Sequence, residues 1–309
     1  FWSVMADTFS RAQARRIFGF IGVGGTVGFI AGLSITAFFT KALGRANLML
    51  ASAVLVLIAG LLAGLVPKAA ADEDTIAVAE KQDAVLGGSV WAGAIHVLKS
   101  KYLAAIAGFL FLFTFGSTVL YSAQTDIVGR FFHDRVVRTE LLARMELATQ
   151  LITAFGQMFI TARLMRRGLT TTLIAVPVVS IVGFMALGST AWGVLPLLGT
   201  FIAFNVARRA VNFMLTQPSR KVLLTVIPRE DKYKTVTFLE TFVYRAGDQL
   251  SVWGYASLAG LGLLVTSISW IAVPIAVLAL MLGVWLARRE REMAVAGAGE
   301  VSSGGEKRG

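Results

Sequence analysis

YLAAIAGFLFLFTFGSTVLYS, residues 102–122, runs for 21 residues without a charged side chain. The hydrocarbon layer of a bilayer is about 30 Å thick and takes about 20 apolar residues of helix to cross, so this stretch alone predicts a transmembrane helix. It lacks the apolar–polar alternation of a barrel strand, and a helix satisfies all its backbone groups within the segment. Seven more segments meet the same criterion, at about 17–40, 48–66, 146–164, 170–190, 192–214, 236–265 and 267–287, and residues 1–6 read as the tail of a ninth. The expected fold class is an all-α membrane protein.

Composition agrees. Of 309 residues 56% are hydrophobic and 15% charged, against roughly 45–50% and 25% in soluble domains. The chain has no Cys, which excludes disulfide frameworks, thiolate metal sites and cysteine nucleophiles, and only His96 and His133 carry imidazoles. With no paired His and no Ser-containing nucleophile elbow, an intramembrane enzyme has no support. His133 beside Asp134 suggests a solvated loop residue rather than a metal ligand, and no metal or cofactor is expected.

Residues 67–101 hold Asp72, Glu73, Asp74, Glu80, Lys81 and Asp83 and are too polar to cross lipid. They read as a linker between two halves. Residues 1–66 are then the remainder of a first helix bundle, 102–290 a six-helix second bundle, and 291–309, rich in Gly, Ser, Ala and Glu, an unstructured tail. Two spans and a stump before the linker, against six after it, predict a chain cut within a helix at Phe1. No secretory signal opens the sequence.

The formal charge of +11 would by itself suggest nucleic acid, but the positions of the bases argue for topology instead. Twenty of the 29 Lys and Arg fall on the side of the linker and tail, six on the other, and three inside spans. That asymmetry puts the linker and C-terminus in the cytoplasm of a multi-pass inner-membrane protein, with the lipid bilayer as partner and no nucleic acid. The region 123–145 fits least well, because it places Arg130, Arg135, Arg138 and Arg144 on the outer side.

Charge inside a span costs about 2.5–3.5 kcal/mol on insertion scales, so each such residue is a functional candidate. Asn205, Arg209, Asn212 and Thr216 recur at helical spacing, with Arg208 on their flank. Glu240, Tyr244, Asp248, Ser251 and Tyr255 form a second stripe, with Arg245 beside it. One reading is a salt-bridge network, Arg245 with Asp248 and Arg209 with Glu240, that locks or gates two helices. The other has Asn205, Arg208, Arg209, Asn212, Tyr244 and Arg245 bind an anionic solute while Glu240 or Asp248 handles coupling or gating. A guanidinium fork suits phosphate or carboxylate. The Gly-rich run 19–32 is not a dinucleotide loop, since Val27 stands where a glycine is required. Gly24, Gly28 and Gly32 instead share a face at small-xxx-small spacing, suited to close helix packing.

FWSVMADTFSRAQARR at 1–16, followed by IFGFIGVGGTVGFIAG, resembles the fourth helix, cytoplasmic loop and fifth helix of the major facilitator superfamily. ITARLMRRG at 160–168 resembles the basic loop after its eighth helix. QPSRKVLLTVIPREDKYKTVTFLETFVYRAGDQ at 217–249 is similar to bacterial members of the nucleotide (ATP/ADP) translocase-like branch. The resemblance implies a partial fold of about eight to nine of twelve transmembrane helices, and a monomer working by alternating access. It also implies an anionic cargo such as a nucleotide, exchanged ATP for ADP. One departure is that 17–40 holds no acidic residue, where that branch is expected to carry a charge. A proton-coupled carrier of another small solute, or a scaffold or sensor that kept the fold without transport, is the alternative.

Overall fold

The structure is a computed structural model and describes residues 11–64, 97, 99–223 and 238–306. Among these every element is a helix or helical turn: α1 Arg11–Gly64, α2 Lys101–Phe131, α3 Arg135–Gly156, α4 Ala162–Arg167, α5 Leu169–Leu173, α6 Ala175–Ser189, α7 Leu197–Val211, α8 Gln217–Leu223, α9 Tyr244–Gly260 and α10 Val265–Glu306. Four stretches are long and apolar enough to cross a membrane: Val27–Gly44, Lys101–Phe131, Leu169–Trp192 and Val265–Met293. Ala46–Leu62 is apolar but shorter. The remaining expected spans are helical where described but do not meet the criterion. Those around 146–164, 192–214 and 236–265 are interrupted by π-helical turns at Gln157–Thr161, Asn212–Thr216 and Leu239–Val243.

The described residues form two compact units. The first contains α1 and residues 134–147. α1 is broken at Gly44, whose φ of +75° is a conformation that a Cβ makes costly, so the two expected spans are separated at a single glycine. Residues 51–62 are exposed all round although almost wholly apolar, a surface suited to lipid and not to water. No atom lies within 4 Å of a Cβ built on Gly28 or Gly32, so the close helix approach expected there is not made by the described residues. The side of α1 at Gly24 lies outside them. In this unit Glu140 is held between Lys41 Nζ at 3.0 Å and Arg144 at 2.6 Å, and the Arg144 guanidinium lies over the Phe38 ring.

The second unit is a bundle in which α2 packs against both α9 and α10, while α6 packs against α7 and α10. Ser100 starts α2 by accepting the Leu103 amide on its hydroxyl. Its apolar face, Leu103, Ile106, Phe109 and Leu110, meets Leu173, Leu223, Leu239 and Leu286 in the core. Tyr102 donates its hydroxyl to the Leu223 carbonyl at 3.0 Å, fixing the start of α2 to the end of α8. Glycines make the tightest contacts. A Cβ on Gly183 would stand 1.9 Å from the Phe204 ring, and one on Gly188 would stand 2.6 Å from Trp270.

Two boundaries differ from the sequence reading. α2 does not end near 122 but continues to Phe131, and α3 begins at Arg135, so most of the expected loop 123–145 is helix. Asp134 accepts the Val136 amide at 2.8 Å and so caps α3 instead of pairing with exposed His133. α10 likewise runs on to Glu306 where an unstructured tail is expected from 291. Ala, Arg and Glu in 287–296 are strong helix formers, and Arg289 pairs with Glu292 at 2.7 Å. The expected linker 67–101 and His96 lie almost wholly outside the described residues.

The glycine contacts give a direct test. Gly183→Ala should lower stability by about 1–3 kcal/mol through overpacking against Phe204, while Gly28→Ala and Gly32→Ala should be silent. Melting temperature in detergent, followed by monodispersity on size exclusion, reads all three.

Candidate functional site

Among the described residues Arg208 is the most deeply placed charge of the second unit. It sits on α7 at 4% exposure. Its Nε donates to Ser180 Oγ of α6 at 2.8 Å, and its two terminal nitrogens donate to Ser117 Oγ at 2.9 Å and to the Phe113 carbonyl of α2 at 3.2 Å. The guanidinium also lies over the Phe113 ring, 5.4 Å from its centroid. One side chain thus joins three helices, and among the described residues it has no carboxylate partner. Gly116 makes room for it, since a Cβ there would stand 3.3 Å from the guanidinium.

A second polar seam runs between α2 and α9. Thr118 donates to Asp248 Oδ1 at 2.8 Å, and about two turns further along α2 Asp126 accepts from the Tyr255 hydroxyl at 2.6 Å. Gly247 lies against Thr114 between the two helices, and Ser251 folds its hydroxyl back to the Gly247 carbonyl. The expected Arg245–Asp248 ion pair is therefore not formed. The carboxylate turns toward α2, and Arg245 is exposed with no ion-pair partner among the described residues. Tyr244 is half-buried beside it.

The other expected positions divide. Asn205 is buried and donates to Gln124 of α2 at 3.2 Å. Arg209 is half-buried and engaged by its neighbours. Asn212 opens a π turn, and its Oδ1 is buried without a donor among the described residues. The π turn 212–216 is wider than an α turn, so Thr216 does not continue a 3.6-residue stripe. It turns inward to the Thr172 carbonyl at 3.3 Å. The Glu240 side chain, and with it the expected Arg209–Glu240 pair, lies outside the described residues.

The sequence reading missed Ser117, Thr118, Gln124 and Asp126 on α2 and Ser180 on α6. The signal was present, because Ser117, Tyr121 and Gln124 recur at helical spacing through the last turns of the apolar run and just past it. Two π turns also face each other. Gln157 Nε2 donates to the Phe213 carbonyl at 3.2 Å, and Thr161 Oγ1 to the Met214 carbonyl at 2.9 Å. Each side chain fills a backbone acceptor on the opposite wide turn.

The fold and this internal polarity define a helical membrane protein. Compared with known proteins, the chain matches no family model, no curated protein and no solved structure.

The α2–α9 seam predicts unequal costs. Tyr255→Phe loses one hydrogen bond and should cost about 1 kcal/mol, whereas Thr118→Val strips a partly buried carboxylate of its donor and should cost about 1–3 kcal/mol. Asp248→Asn, which can still accept from Thr118, should be the mildest of the three. Thermal unfolding of the purified variants ranks them.

Proposed function

We propose that this chain is part of a secondary active transporter of the major facilitator type, in its nucleotide translocase-like branch. It would move an anionic solute such as a nucleotide across the inner membrane by alternating access, with its linker and C-terminus in the cytoplasm. The observation that carries the reading is Arg245, which stands exposed near the start of α9 with no ion-pair partner among the described residues. A guanidinium on a helix of this kind needs water, a headgroup or an anionic cargo.

The roles follow from surroundings. Arg245, with Tyr244 and Arg209, offers fork-shaped and hydroxyl donors to phosphate or carboxylate oxygens. Asn205 steadies the facing helix through Gln124. Asp248 meets a neutral hydroxyl and not a cation, so it can take up or release a proton without breaking an ion pair, as a coupling group must. Glu240 is a second candidate for that role on sequence position. Arg208 directs three donors to protein groups and holds α2, α6 and α7 together, which leaves it poorly placed to grip a large cargo.

The Arg208 contacts also favour a second reading, a membrane scaffold that retains the bundle without transport. Proteoliposomes holding the full-length protein, loaded with unlabelled anion and given labelled ATP, ADP or an organic anion outside, separate the two. The transporter reading expects saturable exchange, at least tenfold weaker in Arg245→Ala at equal folded yield, and a loss of response to an imposed pH gradient in Asp248→Asn. Absence of saturable uptake of every anion rejects transport, and unchanged uptake in Arg245→Ala rejects the site.

A further inference from the structure

The span 169–192 and α10 lie antiparallel and meet at both ends. At one end Trp192 and Trp270 stand with ring centroids 5.7 Å apart. At the other the Arg291 guanidinium rests on the Gly168 turn, where a Cβ would stand 2.9 Å from its nitrogen. From Gly168 to Trp192 and from Trp270 to Arg291 the chain advances 24 and 21 residues, about 36 and 32 Å of helix, which matches a hydrocarbon layer of about 30 Å. Tryptophan favours the two faces of such a layer, and arginine the flanks of its spans. The Gly168 corner therefore lies at headgroup depth.

The side chains at this corner fit one kind of ligand. Arg166 and Arg167 close α4 just before Gly168, and Arg288 and Arg291 approach from α10. All four are exposed, and none has an ion-pair partner among the described residues. The acids nearby are engaged elsewhere: Glu292 pairs with Arg289 at 2.7 Å, and half-buried Glu290 has Tyr102 as its electrostatic neighbour. Arg288 and Arg291 stand three residues apart and share a face of α10. That face continues from Arg288 through Trp285, Met281 and Leu278, at steps of 3, 4 and 3 residues and at 42%, 55% and 51% exposure. Unpaired guanidinium groups thus stand at the head of an exposed apolar stripe. A soluble anion has no use for the stripe, and a zwitterionic lipid brings no net charge to the head.

We propose that the corner formed by Arg166, Arg167, Arg288 and Arg291 binds the phosphate of an anionic phospholipid of the phosphatidylglycerol class, with its acyl chains along Trp285, Met281 and Leu278. The guanidinium forks donate to the phosphate oxygens, and the bound headgroup ties the α4–α5 turn to α10. The site needs only the membrane setting of the two spans, so it holds for a transporter and for a scaffold alike.

The test is the melting temperature of the full-length protein in a neutral detergent, titrated with phosphatidylglycerol, with phosphatidylcholine of the same chains, or with soluble glycerol phosphate. The site predicts a saturable rise of about 3 °C with phosphatidylglycerol alone. Each basic side chain at an anionic lipid surface strengthens binding about fivefold, so Arg167→Gln/Arg291→Gln should move the midpoint of the rise about 25-fold to higher lipid. Arg130→Gln/Arg135→Gln, which removes the same charge from exposed positions near the α2–α3 turn, should leave the midpoint in place. If the corner double variant fails to fold, Arg288→Gln is read in the same way, with a shift of about fivefold. Equal effects of the two lipids overturn the proposal, as does a rise of the same size with glycerol phosphate. A midpoint that stays put in the corner variant, or moves equally in the control variant, overturns it as well.

Discussion

A polar side chain surrounded by hydrocarbon has no partner except another part of the chain. Most of the arrangement in the second unit follows from that constraint. Arg208 is tolerable because two serine hydroxyls, a backbone carbonyl and an aromatic face converge on it. Asp126 and Asp248 are tolerable because hydroxyls from the facing helix reach them. Removing one partner leaves a charge stranded, which costs far more than the bond itself contributes. Polar residues therefore fix which helices are neighbours, and apolar residues fill in around them.

Much of this was legible in the sequence. The long apolar run at 102–122 declared a helix, and Arg208, Arg209, Arg245 and Asp248 declared themselves as costly charges in oily surroundings. Partner choice was not legible. Arg245 and Asp248 stand three apart on one helix and invite pairing, yet Asp248 turns to Thr118, 130 residues away in sequence. Local spacing says which face a residue occupies but not which helix comes to meet that face. The end of α2 was misplaced for a similar reason. Polarity rises after Ser122, and a hydropathy count stops there, but nothing in Ala123–Phe131 breaks a helix.

Arg208 itself shows the limit most clearly. By spacing it sat on the flank of a stripe led by Arg209, and it proved the more buried of the two. Burial depends on the approach of α2 and α6, which sequence periodicity on α7 does not report. The same holds for glycine. The regular Gly24, Gly28 and Gly32 pattern promised close packing, whereas among the described residues the tight contacts include those of Gly156, Gly183 and Gly188, where no repeat advertised them.

The facing wide turns at 157–161 and 212–216 have a mechanical meaning. A straight α-helix carries its own rigidity, because every carbonyl is answered four residues on. Here Phe213 and Met214 are answered by Gln157 and Thr161 across the gap, so the stiffness of the second rod resides partly in the first. A strut whose weak point is held by its neighbour bends only if that neighbour moves with it, which makes the pair of wide turns a natural crease of the bundle.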